Sequence, residues 1–72
     1  MRKATLKLFL RNHAKGANKA NIDKIINDPK LFDKLDAAVA HEAKGRPVLD
    51  FMKFLLDNRQ AIFDLIKLIT SK

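Results

Sequence analysis

Two glycines and two prolines are all that this 72-residue chain contains, and their positions decide what it can fold into. Glycine enters the left-handed conformation that ends helices, and proline disfavours helical geometry in the residue before it. Gly16, Pro29, Gly45 and Pro47 therefore divide the chain into short segments. Within each segment the apolar residues recur at helical spacing, not in the alternation of a strand.

In the first segment Leu6, Phe9, Leu10 and His13 stand at i, i+3, i+4 and i+7, which predicts a helix over about 3–15. Lys15 and Gly16 would end it, with a cation in the last turn and glycine beyond. Asn18 is placed to cap a second helix whose stripe is Ile22, Ile25 and Ile26. Asp28-Pro29 closes that helix and opens a third, Asp28 as N-cap and Pro29 at the first helical position, where no amide donor is needed. Leu31, Phe32, Leu35, Ala38 and Val39 share its face, and Gly45 ends it.

Pro47 repeats the start. From Val48 to Ile69 the chain is strongly apolar, with Asp50, Lys53, Asp57, Asp64 and Lys67 on a narrow polar stripe. An unbroken helix would turn Asn58 and Arg59 into the apolar side. A break at Asp57–Asn58 avoids this, and Asp57 with Gln60 matches a capping box. Two helices are expected there.

The expected fold is thus all-α: a compact single-domain bundle of four to five short helices spanning 1–72, with a basic N-terminal helix (about 3–15) and a body (about 18–70). Residues 48–69 are expected to be its most buried part. Its core should be Leu6, Phe9, Leu10, Ile22, Ile25, Ile26, Leu31, Leu35, Val39, Leu49, Phe51, Leu55, Leu56, Ile62, Phe63, Ile66 and Ile69. Without cysteine there is no disulfide or thiolate metal site to staple so small a chain. Packing must hold it, and 47% hydrophobic residues suffice for that and argue against disorder.

Charge is the feature that bears on function. The net charge is +7. Residues 1–22 hold Arg2, Lys3, Lys7, Arg11, Lys15 and Lys19 and no carboxylate, whereas residues 23–72 carry nine basic and eight acidic side chains. Asymmetry of this kind speaks of partners, not of fold. Lys3, Lys7, Arg11 and Lys15 are spaced by four, so they should form a solvent-facing ridge separate from Leu6, Phe9 and Leu10. Like charges at i, i+4 cost about 0.2–0.5 kcal/mol per pair in an isolated helix, a cost that an acidic partner removes. Lys15 and Lys19 also flank the start of the second helix, whose amides would attract an anion.

Other motifs fail on spacing. "HEAKG" at 41–45 begins like a zincin helix, but Gly45 stands where the second histidine is required. "KGRP" at 44–47 contains the Gly-Arg-Pro of a minor-groove hook, yet Val48, Leu49 and Asp50 follow instead of further basic residues. "KGANK" lacks the glycine spacing of a P-loop. No cofactor or metal is expected, and no catalytic group either. Hydroxyls are confined to Thr5, Thr70 and Ser71, Cys and Tyr are absent, and His13 and His41 fall on different helices.

The expected function is a small non-enzymatic binding module that contacts a polyanion, nucleic-acid phosphates above all, through Arg2, Lys3, Lys7, Arg11, Lys15 and Lys19. Two alternatives stay open. One is a membrane-active antimicrobial peptide of leaderless-bacteriocin type acting on an anionic membrane surface, against which stand the eight acidic residues and the lack of Trp and Tyr. The other is a protein-binding adaptor or small viral regulator with an acidic protein partner, or a homodimer formed through Leu8 or the apolar arc of 48–69. With no signal peptide and no apolar run long enough to span a bilayer, a cytoplasmic location is expected, leaderless secretion being the alternative.

Overall fold

Where each helix begins and ends follows from which backbone groups the neighbouring residues can satisfy. The structure, a computed structural model, describes residues 2–71, and within them all side chains except those of Arg2 and Val48. Helix α1 runs Arg2–Asn12, α2 Lys19–Asn27, α3 Pro29–Ala43, α4 Val48–Asp57 and α5 Arg59–Thr70, with a 3₁₀ turn over Gly16–Asn18 leading into α2. The described residues contain no strand.

The start of α3 is built as its sequence predicts. Asp28 is extended, its carboxylate accepts from the Lys30 amide at 3.0 Å, and Pro29 opens the helix. The break after α4 is also present, so 48–70 form two helices. Its chemistry differs from a capping box. Asn58 is the hinge residue: its amide and its Nδ2 both donate to the Phe54 carbonyl, at 3.0 and 2.9 Å. Gln60 reaches forward to Asp64 at 3.2 Å, not back to Asp57. Pro47 lies just outside α4 as its N-cap, its carbonyl accepting from the Phe51 amide at 2.7 Å.

Helix α1 stops three residues earlier than its periodicity predicts. The His13 ring places Nδ1 2.9 Å from the Phe9 carbonyl, where its N–H donates into the last turn. The His13 amide is shared between the carbonyls of Phe9 and Leu10, at 3.2 and 3.1 Å. Asn12 and His13 propagate a helix weakly, so the chain leaves it there. Gly16, at φ 56°, is left-handed as expected, but it starts the 3₁₀ turn and does not end α1.

Five amphipathic helices close on a single apolar cluster. Leu6, Phe9 and Leu10 of α1, Ile22 and Ile25 of α2, Phe32, Leu35, Val39 and Ala43 of α3, Phe51 and Leu55 of α4, and Ile62 and Ile66 of α5 are buried together. Helix α1 lies chiefly on α4, while α5 crosses α2 and α3. The radius of gyration is 11.1 Å, close to the ~11 Å of a compact chain of this length. This is a compact all-α bundle.

Two residues expected in the core are not there. Leu49 is 88% exposed and Leu56 40% exposed. Inward orientation of Phe51 and Leu55 turns Leu49 and Leu56, which lie two and one positions from them, to the other side of α4. Ile26, Leu31, Phe63 and Ile69 are only partly buried against the cluster. Residues 48–69 are accordingly not its most buried part, since α1 contributes three side chains that water scarcely reaches.

The end of α3 carries the one strained residue among those described. Lys44, the C-cap, sits at φ 46°, followed by Gly45 at φ 77°. The left-handed region costs a non-glycine residue about 1–2 kcal/mol, and glycine gives back about 0.5–1 in chain entropy. Lys44→Gly is therefore expected to stabilise the fold by about 0.5–1 kcal/mol, read as a raised midpoint in thermal unfolding. A lowered midpoint would mean that the lysine side chain makes a contact worth more than the strain.

Candidate polyanion interface

The inward set Leu6, Phe9 and Leu10 fixes the rotation of α1 and thereby decides where its cations point. Lys3 and Lys7 are turned toward the first turns of α3. Nζ of Lys3 lies 3.2 Å from Oδ1 of Asp33, and Nζ of Lys7 sits 5.4 Å from the centroid of the Phe32 ring. With Ala4, Ile26 and Pro29 these four residues line a shallow recess between the helices. Lys7 is half-buried, so it is not the solvent-facing side chain that the i, i+4 spacing predicts.

One turn on, Arg11 is exposed and forms no ion pair among the described residues. Lys15 is equally exposed and unpaired, but it stands outside the helix on extended backbone at φ −136°, ψ 149°. The predicted ridge is therefore a three-residue row, Lys3, Lys7 and Arg11, continued by a loop lysine. Lys19 opens α2 and pairs with Asp23 at 2.8 Å. The Arg2 side chain lies outside the described ones.

The two bridges are weak restraints. Side chains of Lys3 and Asp33 are 62% and 64% exposed, those of Lys19 and Asp23 63% and 45%. Exposed pairs contribute about 0–1 kcal/mol, so a phosphate oxygen can take over either ammonium at little net loss. Asp33 and Phe32 are the residues that sequence reasoning missed here. They lie about 30 positions from Lys3, and no local signal announces them.

The anion seat expected at the start of α2 is partly closed. The amides of Asn18 and Lys19 donate to the carbonyls of Lys15 and Gly16 within the 3₁₀ turn, and the Asn18 side chain makes no cap bond. His13 is a packing residue, its ring 4.4 Å from that of Phe9 and 5.9 Å from that of Phe63, centroid to centroid. His41 is exposed in the last turn of α3. No helix among the described residues is long and apolar enough to cross a membrane.

No protein-family model, curated protein or solved structure matches this chain. Whatever is said of its function rests on its own residues.

Proposed function

We propose that the chain is a non-enzymatic module that binds a polyanion, nucleic-acid phosphates in particular, through α1 and the turn that follows it. The observation that carries this reading is the state of the basic residues of α1 and the turn. Arg11 and Lys15 are exposed without an acidic partner, while Lys3 and Lys19 are held only by exposed bridges. Cations so disposed can contact a phosphate backbone without rearranging the core.

Contact with backbone, not bases, is the mode these residues support. Of the five Phe none is exposed: Phe9, Phe32 and Phe51 are buried, Phe54 and Phe63 half-buried. Among the described residues no phenyl ring is open for a base to stack on. The hydroxyls at the C-terminal end are turned to the backbone, Thr70 toward the Ile66 carbonyl at 2.7 Å and Ser71 toward Leu68 at 2.9 Å.

A second reading has one observation in its favour. Leu8, on α1 and 53% exposed, stands three residues before Arg11, a pairing of apolar and cationic side chains that suits an anionic lipid surface.

Titration of the intact protein against duplex DNA, single-stranded RNA and anionic vesicles over a salt series separates these readings. Each phosphate neutralised on duplex DNA contributes about −0.9 to the log–log salt slope. Three contacts, from Lys7, Arg11 and Lys15, give a slope of about −3, and recruitment of Lys3 and Lys19 takes it to about −4 to −5. Binding to vesicles alone favours the membrane reading. Binding to none of the three leaves an acidic protein partner.

A further inference from the structure

Between α3, the end of α4 and α5 the fold leaves a cleft of about 390 Å³. The break at Asn58 opens it. Helix α5 turns there to pack on α2 and α3 and touches α4 little, so the three helices do not close on one another. Val39 of α3, Phe54 of α4 and Ile62 and Leu65 of α5 give the cleft apolar walls. Glu42, Asn58 and Asp64 are the polar side chains on it, and no described Lys, Arg or His lines it.

All three polar groups offer acceptors. Glu42 is exposed and forms no ion pair among the described residues. Asp64 receives only the neutral amide of Gln60, at 3.2 Å. Asn58 directs its Nδ2 to the Phe54 carbonyl at 2.9 Å, which leaves Oδ1 to accept. A ligand here must therefore bring donors and positive charge along with an apolar body.

We infer that the cleft binds a small organic ammonium ion, its hydrocarbon part against Val39, Phe54, Ile62 and Leu65 and its charged head among Glu42, Asn58 and Asp64. The volume suits a small molecule, for which sites run about 300–1,000 Å³ with mostly apolar walls. One turn of a helix, about 5.4 Å high and 10 Å across, already takes about 420 Å³, so a helical peptide does not enter. The chain as a whole, at +7, attracts anions, and this cleft reverses that preference locally. The other two recesses do not: the one at Lys3 and Lys7 is part of the polyanion surface, and beside Arg46 the charge of Lys53 stands against Asp50 and Asp57. Because α1 does not line the cleft, the inference is independent of the polyanion reading.

Both carboxylates are exposed, so each should contribute only about two- to fivefold in affinity. Titration of the intact protein with hexylammonium, hexan-1-ol and hexanoate, followed by ¹H–¹⁵N NMR at neutral pH, tests the assignment. Hexylammonium should shift the amides of Asn58, Ala61 and Leu65 saturably, in the millimolar range. Hexan-1-ol should act on the same amides about fivefold or more weakly, and hexanoate more weakly still in spite of the net charge. Glu42→Gln and Asp64→Asn should each weaken hexylammonium about two- to fivefold and leave hexan-1-ol unchanged, with the unfolding midpoint preserved. No saturable shift at these amides would overturn the inference. So would equal binding of the alcohol and the ammonium, preference for hexanoate, or indifference of hexylammonium to both substitutions.

Discussion

Phe51→Ala should lower stability by about 3–5 kcal/mol, while Leu49→Ala, two residues earlier on the same helix, should leave it within about 0.5 kcal/mol of wild type. Phe51 is 1% exposed and packs with Leu55 into the common cluster, its ring 6.3 Å from that of Phe54. Removing a buried phenyl ring costs about 3–5 kcal/mol, from lost transfer energy and the cavity left behind. A domain of this length has a total of roughly 4–11 kcal/mol, at about 0.05–0.15 per residue. The truncation removes about half of that reserve at the middle of the two ranges. Leu35→Ala, at a fully buried position, should cost about 2–5 kcal/mol, and Phe63→Ala less, because Phe63 is only partly covered. Urea unfolding followed by far-ultraviolet circular dichroism ranks the four. Equal losses at positions 49 and 51 would mean that α4 is rotated from the orientation described.

That pair of residues also marks where the sequence stops being legible. Helix starts signalled by a side chain that bonds its own neighbourhood could be read directly: Asp28 and Pro29 announce α3, and the cap bond to Lys30 forms as such dipeptides dictate. The apolar stripes of α1, α2 and α3 were legible too, because each of those helices has one such face. Helix α4 has two, Phe51–Leu55 and Leu49–Leu56, and periodicity weighs them alike. Only the position of α1 against it decides which one is buried, and that is a tertiary fact. The same limit applies to the basic segment. Spacing by four places Lys3, Lys7 and Arg11 on one side of α1, but not the Asp33 carboxylate and Phe32 ring that receive the first two. The early end of α1 turned on the His13 ring bonding back to Phe9, a competition between side chain and backbone that propensity alone does not resolve.

The second large effect concerns the exposed cations of α1 and the turn after it. Replacing Arg11 and Lys15 together by Gln should flatten the salt dependence of duplex binding by about two units at most, each lost phosphate contact removing about 0.9. Lys7 is left in place because it is half-buried over Phe32, so its replacement would mix packing with binding. Arg11 and Lys15 are both exposed and unpaired among the described residues, and their loss should not lower the unfolding midpoint. The comparison is Lys30→Gln with Lys34→Gln, which removes the same two charges from the exposed side of α3, among Asp33 and Asp36. Net charge falls from +7 to +5 in either double variant, so long-range attraction by the whole molecule is matched and any difference belongs to position. A clear excess loss for the pair on α1 and its following turn locates the phosphates there. Equal losses would mean diffuse attraction with no seat on the protein. Unchanged binding without Arg11 and Lys15 would place the contact on another surface and sink the assignment, because these two are the exposed, unpaired cations described in the stretch 1–22 that carries no carboxylate of its own.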